Sequence, residues 1–188
     1  MIKFYTNREL SRAFDINLAR WKRWSREFLP PDPLGGLQSG YARQYNPDQA
    51  FTVYLGGFLV GDLRYTVPEA RAILFDLHDW LVKQRFYVNY PQTEPSAGDN
   101  LSAIEYYQIA ICRIAGTRDD SNGFYYIVKG VISDIKEPAI GNGVRQQKFV
   151  ESTITTGKTA GAIKPAAGHR VLNVTVLRNR FLASLNRV

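Results

Sequence analysis

Within Leu18–Phe28 four basic residues, Arg20, Lys22, Arg23 and Arg26, are interleaved with Leu18, Trp21, Trp24 and Phe28. At about 100° per residue the four apolar side chains fall on one side of a helix. Ala19, Lys22, Arg23 and Arg26 fall on the other, with Arg20 flanking them. Such a face suits a DNA major groove, because guanidinium forks reach guanine acceptors or phosphates and a small residue permits close approach. The same pattern also describes the solvated outer face of an ordinary amphipathic helix.

Other reactive residue types do not assemble into a site. Gly157-Lys158-Thr159 has the end of a phosphate-binding loop, but Ser152 stands where the first glycine belongs, and Pro165 discourages the helix that must follow. His78, in Asp76-Leu77-His78-Asp79, has carboxylates one and two positions away, so it reads as a capping or surface histidine; His169 reads as a lone loop residue. Cys112 sits in the apolar run Ile109–Ile114 and reads as a buried, inert thiol. With two histidines, one cysteine and no clustered carboxylates, the expectation is a non-enzyme with no catalytic residues, no metal and no cofactor.

The basic face needs a scaffold, and the front half supplies helical signals. Thr6 with Glu9 forms a capping box ahead of Leu10, Ala13 and Phe14. Asp15-Ile16-Asn17 breaks that helix, with Ile16 as a core plug and Asn17 as the next N-cap, so two helices joined by about three residues make a helix-turn-helix pattern. The second helix stops at Leu29-Pro30-Pro31. Asn46-Pro47-Asp48-Gln49 opens a third helix carrying Phe51, Tyr54, Leu55, Phe58 and Leu59, and Gly56-Gly57 inside it predicts a tight helix contact or a break. A fourth starts at Thr66-Val67-Pro68-Glu69 and carries Ala70, Ile73, Leu74, Leu77 and Leu81 on one face.

Composition changes at 89–100, a polar stretch with two prolines and a glycine that predicts a linker. Beyond it, Ile104–Ala115 and Phe124–Ile135 have strand character around a hairpin-like loop at 116–123, with further strand candidates at Val144–Thr155 and Arg170–Leu177. Asn179–Leu185 fits either a short helix or a strand. The chain of 188 residues has 45% apolar and 13% aromatic content, enough for ordinary cores. No apolar run approaches a membrane span, and Met1–Thr6 turns polar too soon for a secretory signal, so the expected location is the cytoplasm, without membrane association. The net charge of +7 is uneven: residues 1–45 hold eight Lys/Arg against four Asp/Glu, and 141–188 hold eight against one. Such a balance favours a polyanionic partner. For the back half three roles compete: self-assembly, sensing, or a second nucleic-acid surface using the basic residues after Gly141 with Phe149 and Phe181.

The order of parts resembles the DNA-binding domain of the MerR family of bacterial regulators over about residues 3–86. Tyr5–Leu10 is similar to that family's opening helix, Lys22–Pro30 to its recognition helix with a Leu-Pro exit, Gly40–Asp48 to its Gly-Tyr-Arg-x-Tyr wing, and Leu63–Ala70 to the turn into its fourth helix. Ala42 stands in place of the first wing arginine, leaving Arg43 nearest, and the 89–100 linker stands in place of the family's long dimerisation helix. The resemblance implies an N-terminal all-α winged helix-turn-helix domain at 1–88; the strand character of the rest predicts a small, mainly antiparallel β domain at 101–188, so the expected fold class is α+β. The resemblance also implies a sequence-specific protein for double-stranded DNA and transcription regulation, with Ala19, Arg20, Lys22, Arg23, Arg26, Tyr41 and Arg43 at the DNA. An effector ligand is not identified, and homo-oligomerisation is expected through 101–188. Alternatives are a phage or mobile-element accessory DNA-binding protein of excisionase-like or architectural type, or an adaptor using the helical domain for protein contacts.

Overall fold

A computed structural model describes residues 3–32, 42–87, 104–114, 123–136, 145–155 and 168–187, with 133–136 and 145–147 as backbone. The fold is α+β, with helices mostly N-terminal and strands C-terminal. Packing divides the chain into two units, Met1–Thr93 with Leu177–Val188, and Glu94–Val176.

The helical unit opens with β1 (Tyr5–Thr6), α1 (Asn7–Ala13) and α2 (Leu18–Phe28). The capping box is present: Thr6 Oγ1 accepts from the Glu9 amide, while the Glu9 carboxylate accepts from the Thr6 amide at 2.7 Å. These contacts hold the Glu9 carboxyl below its usual range. In the turn, Asp15 takes φ 51°, and Ser11 Oγ donates to the Ile16 carbonyl at 2.7 Å. Ile16, expected as a core plug, is only half-buried. Asn17 caps α2, its Oδ1 accepting from the Ala19 and Arg20 amides. Then follow β2 (Gln44–Tyr45), α3 (Pro47–Gly61) and α4 (Val67–Lys83), each helix entered through an N-cap capping box with proline in its first turn. β2 pairs antiparallel with β1, Tyr5 opposite Tyr45.

Leu10, Trp21, Phe51, Leu55, Leu59, Ile73, Leu77 and Leu81 form the centre of this core. The glycine pair of α3 makes the tight contact that its position predicts, and the helix runs through it unbroken. A Cβ on Gly57 would lie 2.3 Å from the Trp24 ring, and one on Gly56 would lie 2.5 Å from the Phe28 ring. Two aromatic rings of α2 therefore rest directly on the α3 backbone, which fixes α2 in depth and rotation. Arg71 of α4 adds a tether, its Nε donating to the Glu27 carbonyl at 2.7 Å while its guanidinium also pairs with the Glu27 carboxylate.

Among the described residues the second unit is a four-stranded antiparallel sheet of β3 (Tyr106–Arg113), β4 (Phe124–Lys136), β5 (Arg145–Thr155) and β6 (His169–Asn173), ordered β5-β4-β3-β6. Ile109, Val128 and Leu172 lie in register across three strands, and Ile111 lies opposite Tyr126. All five are buried, as the alternation of β-branched and aromatic residues requires. Cys112 is also buried.

Three further expectations change. His169 is a strand residue, opposite Cys112, rather than a loop residue. The strand expected over Arg170–Leu177 stops at Asn173, whose Oδ1 accepts from the Val176 amide at 3.0 Å and so starts helix α5 (Val174–Leu185). From Leu177 onward the chain packs in the helical unit, so 101–188 is not one packing unit. The physical reason is an apolar stripe, Leu177, Phe181 and Leu185, spaced four apart and buried. Phe181 lies 5.2 Å from both Phe14 and Phe51 and 5.6 Å from Tyr54 between ring centroids. The 89–100 linker, loop residues 116–122 and Gly157-Lys158-Thr159 lie outside the described residues.

Candidate nucleic-acid interface

Helix α2 is amphipathic in three dimensions as well as in sequence. Trp21 is completely buried and Ser25 nearly so, while Ala19, Arg20, Lys22, Arg23 and Arg26 are all exposed. At 1.5 Å per residue its eleven residues span roughly 16 Å, within the reach of a helix along a major groove about 12 Å wide.

The exposed face lies between two depressions. On one side Lys22 and Arg26 line a cleft of about 410 Å³ with Asn7, Ser25, Arg43 and Tyr45. On the other Ala19, Arg20 and Arg23 line a broader groove of about 990 Å³, to which Arg64 and Arg180 also contribute. The five α2 residues singled out by sequence are thus brought together on one surface and shared between its two flanks. Arg43 is placed differently. Its Nη2 donates to the Pro30 carbonyl at 2.9 Å and its guanidinium stands 5.6 Å from the Tyr45 ring centroid, so it ties the exit of α2 to β2. Tyr41 lies outside the described residues.

A buried hydroxyl chain sets the base of the first cleft. Tyr45 Oη donates to Asn7 Oδ1 at 2.7 Å and lies 2.7 Å from Ser25 Oγ, linking α1, α2 and β2. Burial pushes the Tyr45 phenol above its ordinary value near 10, against the opposing effects of the Ser25 hydrogen bond and the Arg43 charge. A raised folded-state value means that the neutral phenol's contribution is complete below pH about 10 and disappears as pH rises through the folded-state value. Tyr45→Phe is therefore expected to lower stability by about 1–3 kcal/mol at neutral pH, since it strips partners from buried polar groups. Its deficit against the parent should narrow in denaturation curves taken above pH 10. A deficit that stays constant to the alkaline limit contradicts this reading of the chain.

Arg64 and Arg180 escaped sequence reasoning as site residues. Arg64 holds φ 58° in the turn between α3 and α4, which gives it no periodicity to stand out by. For Arg180 the signal was the four-residue spacing of Leu177, Phe181 and Leu185, which puts the intervening Arg180 on the outer side of a docked helix. His78 Nδ1 lies 3.2 Å from Asp79 Oδ1 on exposed α4 surface. Among the described residues no three His, Cys, Asp or Glu side chains gather as a metal ligand set, and no helix is long and apolar enough to cross a membrane. Comparisons with protein-family models, with curated proteins and with solved structures return no match.

Proposed function

We propose that this chain is a sequence-specific double-stranded-DNA-binding protein, acting in transcription regulation in the manner of the MerR-like proteins its front half resembles, and not an enzyme. The observation that carries the reading is the exposed face of α2: four basic side chains and Ala19, on a helix whose opposite face is seated on Gly56 and Gly57. A helix held this rigidly presents its side chains without a large ordering penalty on binding. Arg23, near the middle of that face, is assigned to a base edge, where its planar fork matches the O6 and N7 acceptors of guanine. Lys22 and Arg26 are assigned to phosphates along one flank and Arg20 to the other. Arg43 acts through position, by fixing the α2 exit, and Tyr41 remains a proposed wing contact.

The sheet unit is proposed to supply self-association. Among the described residues, β5 and β6 are the outer strands of the sheet, and outer strands present unpaired backbone groups that can add a second sheet across a two-fold axis. One small DNA-binding module buries roughly 600–1,000 Å² on DNA, and pairing two gives specificity that one lacks. The proposed location is the cytoplasm.

The test is a mobility-shift titration of the full chain with matched and scrambled duplexes across a salt series. The full chain is required because Phe181 belongs to the helical core. Binding that weakens steeply with salt, with the matched duplex retained longest, is the expected result. No detectable binding at low salt refutes the reading, and a stoichiometric protein complex formed without nucleic acid favours the adaptor alternative. Light scattering without DNA decides the assembly: a monomer at concentrations on the order of tens of micromolar excludes the sheet as the dimerising element.

A further inference from the structure

The groove beside Arg20 and Arg23 includes a residue from far along the chain. Arg180 of α5 lines it together with Arg64, and among its described lining residues Asp62 is the only acidic one. Four arginines against one aspartate in the lining leave a net positive groove, a setting that favours an anion. Arg180 is exposed, but its backbone is well anchored. The adjacent Phe181 is packed among Phe14, Phe51 and Tyr54. Two residues earlier, Arg178 Nε donates to the Phe86 carbonyl at 3.1 Å and its guanidinium stands 5.9 Å from the Phe86 ring centroid. Tyr54 lines the same groove, and burial pushes its phenol up while the Arg180 charge opposes that rise.

A helix lying in a major groove has a phosphate backbone on each side of it. Cations on both flanks of α2 therefore have a direct use, and on the Arg20–Arg23 flank two of them, Arg64 and Arg180, come from outside α1 and α2. We propose that α5 is part of the DNA-contacting surface, with Arg180 holding a backbone phosphate on the Arg20–Arg23 flank of α2. The assignment rests on the DNA-binding reading above. It makes the contact surface discontinuous in sequence, with the flank completed by residues that follow the sheet. Guanidinium groups suit this task because they bind phosphate oxygens bidentately and remain charged.

The experiment compares the full-length parent, Arg180→Ala and Arg180→Lys on one mixed-sequence duplex across a salt series, with thermal unfolding of each protein as a folding control. Expected are unchanged unfolding, weaker binding by Arg180→Ala at low salt, and a log-log salt slope lower by about one unit, the signature of one lost phosphate contact. Arg180→Lys should keep the parent slope. If the parent binds and Arg180→Ala matches it in affinity and slope, the proposal is wrong while the DNA-binding reading stands. If the parent itself does not bind duplex DNA, both are wrong. A further arm adds inorganic pyrophosphate: stabilisation of the parent but not of Arg180→Ala, with the DNA slope unaltered, identifies a free-anion site and overturns the assignment to DNA.

Discussion

Phe181→Ala is expected to lower the stability of the helical unit by about 3–5 kcal/mol, the range for deleting a large aromatic side chain from a packed core. The ring is 2% exposed and makes three aromatic contacts, with Phe14, Phe51 and Tyr54. Those partners come from the C-cap of α1 and from α3, so the cavity would open between elements and leave α5 without its central anchor. A loss of this size is a large share of the roughly 5–15 kcal/mol by which domains are stable. Denaturant unfolding of the full chain by tryptophan fluorescence measures it cleanly, because Trp21, Trp24 and Trp80 all belong to this unit. Phe149, exposed on β5, is the contrast, with Phe149→Ala expected to change this transition little. A Phe181→Ala loss under about 1 kcal/mol, below the range for a core aromatic, would mean that the end of α5 is not integral to the core.

Arg23→Ala is expected to weaken binding to the preferred duplex by about 1–3 kcal/mol and to relax preference at one base pair, as loss of a bidentate base contact does. At about 1.4 kcal/mol per tenfold, the upper end exceeds a hundredfold in affinity. Lys22→Ala separates the two kinds of contact. If Lys22 holds a phosphate, its loss weakens all sequences alike and lowers the salt slope by about one unit, without changing sequence preference. Both residues are exposed on α2, so neither change removes core packing. A selection experiment on randomised duplexes reads the preference directly, and an Arg23→Ala profile identical to the parent's would remove Arg23 from base readout.

The helix-turn-helix was legible because its signals are local. Thr6 with Glu9, Asn17, Asn46 with Gln49, and Thr66 are each within three residues of the amides they cap, so sequence spacing alone locates the helix starts. The basic face of α2 was legible for the same reason, since angular position follows from periodicity. Gly56-Gly57 was ambiguous between contact and break; the choice is made by Trp24 and Phe28, which no local rule places there. The end of the chain was harder. Val171, Val174 and Val176 give that stretch β-branched character, while its helical state is secured by the Asn173 cap and by burial against residues distant in sequence. Arg180 could not be read as a partner of Arg20 until Phe181 had been placed.

The division of the helical unit into Met1–Thr93 and Leu177–Val188 also sets an order of events during synthesis. At about 5–20 residues per second, the segment Glu94–Val176 takes roughly 4–17 s to emerge, and only afterwards does Phe181 become available to close the core. A nascent chain that has already made Phe14, Phe51 and Tyr54 must wait for the intervening sheet to be translated before Phe181 can pack against them. The sheet thereby acts as a timer on maturation, and ribosome-bound chains stalled before Leu177 should remain more open to protease around Phe14 and Tyr54 than chains released after it.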